Sequence, residues 1–344
     1  MCIIESNNMK TILFLDNTYP KAYQSDTLTN KAIGGTEASI IRVANILSKK
    51  YQVYVAQKYR NFVTKESERL WFIPKTDISK IYPNIIIVLR KYKVLKKIAQ
   101  QFPEAKLFLW LHTYKNKEYA FLRAKLSKIN FSIICNSDTH RKHTHQLINA
   151  SIIGKLFSLF YTKINVEFCY NPIPKAKIKA CSKDKNKLIF FSSPNKGLNQ
   201  ILDSFAKISK KMPLLKLYIA NPGYKTQNYL PQENTVILGS LSHNEMMKQV
   251  SESLCVFYPQ DTFAETFGLI YAEANAYCVP VLAHDIGAAK EILDKNNPLI
   301  DVKNINEIMN LIKHWQQHYP LVHYNEKFSE KNILEQWHRI IAKE

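Results

Sequence analysis

Apolar positions along this chain cluster into short β-branched and aromatic runs, each followed by a polar stretch. Thr11–Leu15, Gln52–Gln57, Leu70–Ile73, Ile85–Leu89, Lys106–Leu111, Ser132–Cys135 and Val166–Phe168 read as buried strands in the first half. Helical stretches separate several of them, the first running from Gly34-Gly35-Thr36-Glu37 to about Ser48. The rhythm resumes with Leu188–Phe191, a helix after Leu198, then Leu215–Ala220, Val236–Leu238, Leu254–Tyr258 and Val279–Ala283. Two long helices, about Asn304–Gln317 and Glu326–Ala342, close the chain. Strands alternating with helices predict an α/β protein built on parallel sheets. Asn171-Pro172-Ile173-Pro174 is a rigid, extended interruption, followed by a lysine-rich linker to Lys187, and the domain boundary is set there.

Length agrees with two domains, since 344 residues suffice for two cores of ordinary size. No apolar run reaches the roughly 20 residues of a membrane span, and the opening MCIIESNNMK has no secretory pattern, with Met9 an alternative start. The six cysteines, at 2, 135, 169, 181, 255 and 278, form no CxxC pair, so buried free thiols are expected rather than disulfides or a metal site. The expected location is the cytoplasm. Charge is uneven: residues 1–172 carry 27 Lys+Arg against 11 Asp+Glu, a balance of +16, while 173–344 carry 21 against 17. A basic first half calls for an anionic partner.

The chemistry concentrates in YPQDTFAETFGLIYAEANAYCVPVLAHDIGAAKEI, residues 258–292. A strand ends at Tyr258, a loop carries Glu265, and an amphipathic helix is expected over about Thr266–Tyr277. The amides of Thr266, Phe267, Gly268 and Leu269 then sit at the positive end of a helix, where they suit a phosphate or a sugar hydroxyl, with Gly268 leaving room for the ligand. Glu273, two turns deeper, can accept from vicinal hydroxyls such as those of a ribose. The plainer reading makes Glu265 a dipole-favoured helix-start residue and Glu273 a solvated one. Two further loops after strands hold candidate phosphate or sugar contacts, Gly34-Gly35 and Lys196-Gly197. The first lacks the G-x-G-x-x-G spacing of a dinucleotide site.

Tyr258-Pro259, Glu265-Thr266-Phe267-Gly268, Glu273-Ala274, Pro280-Val281, and Gly287 followed by Glu291 resemble, in order and spacing, the signature of family 4 of the retaining glycosyltransferases, which have the GT-B fold. The resemblance implies two Rossmann-like parallel-sheet domains facing across a cleft: 1–173 for the acceptor, 174–322 for the nucleotide sugar, and 323–344 a C-terminal helix crossing back. It implies sugar transfer from a nucleotide-diphosphate sugar to a glycan or glycolipid acceptor, in cell-surface polysaccharide or lipopolysaccharide synthesis, with no cofactor and no metal. His112, at the end of a strand in Trp110-Leu111-His112-Thr113, would with Glu265 orient the donor sugar. Lys196 would hold the diphosphate alone or with a substitute, because the arginine common upstream in the family is missing from this loop. Gly34, Gly35, Gly197, Glu265–Leu269 and Glu273 complete the donor site. Cys278 stands where the family usually has glycine, and a left-handed backbone there would be strained. Asn221-Pro222-Gly223 and Gly239-Ser240 resemble family loops but are assigned no role.

Two stretches have two readings. In residues 90–102 an apolar stripe recurs at helical spacing among five basic residues, and in residues 151–164 Ile152, Ile153, Leu156, Phe157 and Phe160 recur at helical spacing; each stretch either packs on the sheet or forms an interfacial helix on anionic lipid at the inner face of a membrane. His140, His143 and His145 spread around a helix and are expected to be solvated. A nucleotide-sugar epimerase of the same architecture, or a basic nucleic-acid-binding protein, are the alternatives; no known nucleic-acid module accompanies the charge, and no nucleic-acid partner is expected.

Overall fold

The computed structural model describes residues 9–343 apart from 31–32, 177–181 and 222–231. Cys2, Cys181 and the Pro222-Gly223 turn therefore lie outside the described residues, as does most of MCIIESNNMK. Two compact units result. One comprises residues up to Ser25, Ser39–Cys169 and Ile333–Glu344; the other comprises Asp26–Ala38 and Tyr170–Asn332. The boundary thus falls between Cys169 and Tyr170, just ahead of Asn171-Pro172, and the C-terminal segment grouped with the first unit begins at Ile333. The short segment 26–38, which includes Gly34 and Gly35, groups with the second unit.

The first unit is an eight-stranded sheet: β1 (Thr11–Asp16), β2 (Gln52–Gln57), β3 (Thr64–Ser67), β4 (Leu70–Pro74), β5 (Ile85–Leu89), β6 (Lys106–Trp110), β7 (Phe131–Cys135) and β8 (Asn165–Phe168). Their spatial order is β3-β4-β2-β1-β5-β6-β7-β8, parallel throughout except for the antiparallel pair of β3 with β4. β3 was not expected. Its sequence TKES has no strand pattern, and it pairs only because the chain doubles back onto β4 at the sheet edge. Ile12 to Leu15 are wholly buried, as the central strand of a sheet covered on both faces requires. The helix Glu330–Ala342 supplies Trp337, fully buried with its ring edge-on to Trp110 at 5.1 Å and 6.3 Å from Phe14. Burying such rings contributes about 2–3 kcal/mol apiece.

The second unit is a five-stranded parallel sheet: β9 (Asp184–Phe190), β10 (Lys216–Asn221), β11 (Thr235–Ser240), β12 (Ser253–Tyr258) and β13 (Val281–Ala283), in the order β11-β10-β9-β12-β13. Chain order reverses between β9 and β12. Consecutive crossovers leave these two strands on opposite faces, which opens a crevice beyond their carboxyl ends, the usual ligand position in open α/β sheets. In the first unit the reversal lies between β1 and β5.

The stretch 90–102 forms a short 3-10 turn and the helix Leu95–Gln101, and it turns Tyr92, Leu95 and Ile98 into the core of the first unit. Of the histidine trio, His143 and His145 are exposed as expected, and His140 departs from expectation. His140 is fully buried in the helix Asp138–His145, accepts from the Asn136 amide at 3.3 Å, and lies under the Tyr114 ring. A helical wheel places residues around an axis but does not say that Tyr114 covers this face. Burial brings the His140 imidazole down to about 3. Cys135, Cys169 and Cys255 are buried free thiols, and Cys278 is partly buried.

Candidate active site

The crevice at the strand-order reversal of the second unit gathers most of the expected residues. The loop after β9 carries Lys196 and Gly197; the loop after β12 carries Glu265. Although 69 positions apart, the Lys196 ammonium donates to both Glu265 carboxylate oxygens, at 2.8 and 3.0 Å. The Tyr258 hydroxyl, at the end of β12, donates to Glu265 Oε1 at 3.1 Å. Burial, and then the Glu265 carboxylate, hold the Tyr258 phenol far above its ordinary range, so it stays a neutral donor. Glu265 is 5% exposed, whereas the Lys196 side chain keeps 27% of its surface open. An ammonium carries three N–H donors, and two oxygens of one carboxylate do not exhaust them.

The main chain holds Glu265 as firmly as its side chain is held. Ala288 N–H donates to the Glu265 carbonyl at 2.9 Å, and a Cβ on Gly287 (φ 61°) would fall 2.6 Å from that carbonyl oxygen. Gly197 caps the helix Leu198–Ser209 in a left-handed conformation, where any side chain would strike Gln260. Gln260 in turn accepts from the amides of Thr262 and Phe263, at 3.0 and 2.7 Å, which folds the loop so that the Phe263 ring lies 5.0 Å beneath the Lys196 ammonium.

The helix expected from Thr266 starts later, at Leu269, with Gly268 as its left-handed cap. Gly268 is required by its backbone angle and by Tyr271, whose ring would meet a Cβ at 2.3 Å. The start of that helix is short of acceptors, since Gly268 C=O takes the amides of Tyr271 and Ala272 and nothing earlier in the helix can take those of Leu269 and Ile270. Thr266 is buried. Phe267 turns its ring inward onto Phe328, at 5.0 Å, so only its backbone can face a ligand. Gly35 meets the same turn: a Cβ there would lie 2.8 Å from Leu269 Cδ1. Gly34, its neighbour, is buried.

Glu273 is 8% exposed, not solvated, and lines a cavity of about 230 Å³ with Ile173, Lys175, His243 and Tyr277. His112 belongs to the first unit, at the carboxyl end of β6. Its Nδ1 lies 3.3 Å from the Asn136 amide nitrogen and its ring 4.4 Å from that of Trp110. Burial, then Arg90, His140 and Lys115, push its imidazole well below the ordinary range, so it is neutral at pH 7. The same edge of the sheet holds a pair that sequence inspection missed. Asp16, closing β1, accepts from Arg90, closing β5, at 3.1 Å and from Tyr23 at 3.0 Å. Arg90 has a left-handed backbone (φ 62°). A carboxylate directly after the apolar run Ile12–Leu15 was the available signal. Among the described residues, no group of three or more His, Cys, Asp or Glu side chains stands close enough to share a metal ion.

Residues 174–332 match the family described as glycosyl transferases group 1. An uncharacterised 41.2 kDa protein in the cps region of Klebsiella pneumoniae is 22% identical over 223 residues, 62% of this chain. The chain spans only 59% of that relative's length. Among solved structures, sucrose-phosphate synthase from Thermosynechococcus elongatus aligns with a TM-score of 0.62 at 14% identity over 96% of each chain. HepE of Anabaena, solved with UDP and glucose, gives 0.61 at 14% identity, over 97% of this chain and 95% of its own. TarM gives 0.58 at 16% identity, over 78% of this chain and 57% of its own. The two Rossmann-like parallel-sheet units are those of the GT-B glycosyltransferase fold.

Proposed function

We propose that this chain is a retaining glycosyltransferase that moves a sugar from a nucleotide-diphosphate sugar to a glycan or lipid-linked acceptor, without a metal or cofactor. The observation that carries the reading is the Lys196–Glu265–Tyr258 constellation at the strand-order reversal of a domain that matches the group 1 glycosyltransferases. The cps-region description of the Klebsiella relative supports cell-surface polysaccharide synthesis as the setting, and cytoplasmic work on an activated sugar fits that chemistry.

The bond that breaks joins the anomeric carbon to a diphosphate oxygen, and negative charge builds on the departing diphosphate. Lys196 stabilises it with the N–H donor that Glu265 leaves over, aided by the amides around Gly268 and Leu269 and by the Gly34-Gly35 turn. The Glu265 carboxylate accepts from sugar hydroxyls while staying charged against Lys196. His112, neutral, has a ring nitrogen that suits a sugar hydroxyl at the strand ends of the first unit. Glu273 holds the ribose in the cavity beside Tyr277. The acceptor hydroxyl attacks from the face the leaving group vacates, its proton passing to the diphosphate oxygen.

Release of nucleoside diphosphate from a panel of nucleotide sugars, with product anomers read by NMR, tests this. Lys196→Ala and Glu265→Gln are each expected to lower kcat/KM about a hundredfold or more while circular dichroism stays unchanged. Near-normal transfer by both variants would overturn the assignment, and conversion of donor to an isomer without acceptor would make the site an epimerase.

A further inference from the structure

The second basic stretch behaves unlike the first. Residues 152–160 hold Ile152, Leu156, Leu159 and Phe160 at 89, 57, 75 and 72% exposure, the helix Ile152–Phe157 included. Such a cluster on a loose loop would mean little, but this loop is fixed from below. Arg123, 2% exposed, donates to the carbonyls of Gly154 at 2.7 Å and Thr162 at 3.1 Å, to Ser158 Oγ at 3.1 Å, and to the carbonyl of Tyr161. The Asn149 side chain ties down both the N–H and the C=O of Ile164, at 3.2 and 2.9 Å. Gly154 presses so close that a Cβ would stand 2.6 Å from the Ile148 carbonyl.

The loop therefore turns its polar main chain inward, satisfied by buried side chains, and its apolar side chains outward. Ordinary surface loops do the reverse. Charge indicates what covers it. Lys155 and Lys163 are exposed on the loop, and no Asp or Glu occurs between Asp138 and Glu167. Phe121 packs its ring 6.0 Å from Phe157, and the acid one turn before it, Glu118, is paired with Lys125 at 3.1 Å. An apolar tip framed by lysines, within a half carrying +16, matches a surface that is apolar beneath and anionic above.

We infer that the 152–160 loop is a membrane-docking tip, which inserts Ile152, Leu156, Leu159 and Phe160 among the acyl chains of an anionic phospholipid bilayer while Lys155 and Lys163 meet the headgroups. This goes beyond the proposed reaction, and its test does not need it. The full chain is sedimented with vesicles of phosphatidylcholine alone or mixed with phosphatidylglycerol. Binding to the mixed vesicles is expected, and weaker binding to the neutral ones. Leu159→Ser with Phe160→Ser should weaken it roughly tenfold or more, and Lys155→Ala with Lys163→Ala about as much, on the anionic vesicles only. Equal binding to both vesicle types, or binding unmoved by either pair, overturns the inference. So does lipid-free self-association that the serine pair abolishes, which would assign the tip to a second copy of the chain.

Discussion

At the scale of single residues, the site depends on atoms that are missing as much as on those present. Gly287 offers no side chain, yet Gly287→Ala would drive a methyl into the Glu265 carbonyl, 2.6 Å away, at a φ of 61°. This variant should lose donor turnover comparably to Glu265→Gln, with a stability loss of about 1–2 kcal/mol; kcat/KM and a urea midpoint read the two effects separately. His140 gives a pH prediction of definite sign. Its unfolded imidazole titrates near 6.5 and its folded one at about 3. Between those values the unfolded chain takes up a proton that the fold refuses. Stability is therefore lost as pH falls below 6.5, by about 1.4 kcal/mol per pH unit from this group, levelling off near 3. His112 acts in the same direction. His140→Asn should flatten the acid limb of the urea midpoint between pH 6.5 and 4. An unchanged limb would mean that the ring is not held neutral by burial.

At the scale of elements, the helix Leu269–Ala276 ends in a Schellman motif. Val279 N–H reaches the Ala274 carbonyl and Cys278 N–H that of Asn275, each at 3.0 Å. The motif needs a left-handed residue at 278, and the cysteine there adopts φ 54°. Cys278→Gly should raise stability by about 1 kcal/mol, seen as a higher thermal midpoint with unchanged turnover. That strain was legible in advance, because a Val-Pro after a helix that resembles a glycine-ended family motif leaves few other conformations. Most strands were equally legible, since a buried parallel strand has to be a short apolar run. The Lys196–Glu265 bond was not. Each residue could be suspected from its own loop, but their meeting follows from β9 lying beside β12, a fact of topology rather than of local pattern. The same limit hid the difference between the two basic amphipathic stretches. Both have helical spacing, and only tertiary packing turns Tyr92, Leu95 and Ile98 inward while Arg123 turns Leu159 and Phe160 outward.

At the scale of the whole molecule, each unit has its own apolar core, and the last helix belongs to the first one. Trp337→Ala should cost the first unit about 3–5 kcal/mol, because a fully buried indole leaves a large void beside Trp110 and Phe14. Hydrogen exchange should then show protection lost around β1 and β6 but kept in β9 and β12. Uniform loss in both units would show that they unfold as one. The charge division has its own consequence at this scale: with +16 on residues 1–172 against +4 on the remainder, attraction to an anionic surface acts mainly on the first half.

The position of Trp337 also orders events during synthesis. The sheet strands of the first unit are all translated by Phe168, but the indole that closes over Trp110 follows only after residues 170–332 have been made. At ordinary elongation rates of 5–20 residues per second that delay is roughly ten to thirty seconds. Throughout it, the nascent first sheet lacks the indole that packs on Trp110 and Phe14, while the second unit can already fold. A chain released early would therefore present a finished second half attached to an unfinished first one, a natural target for chaperones and proteases.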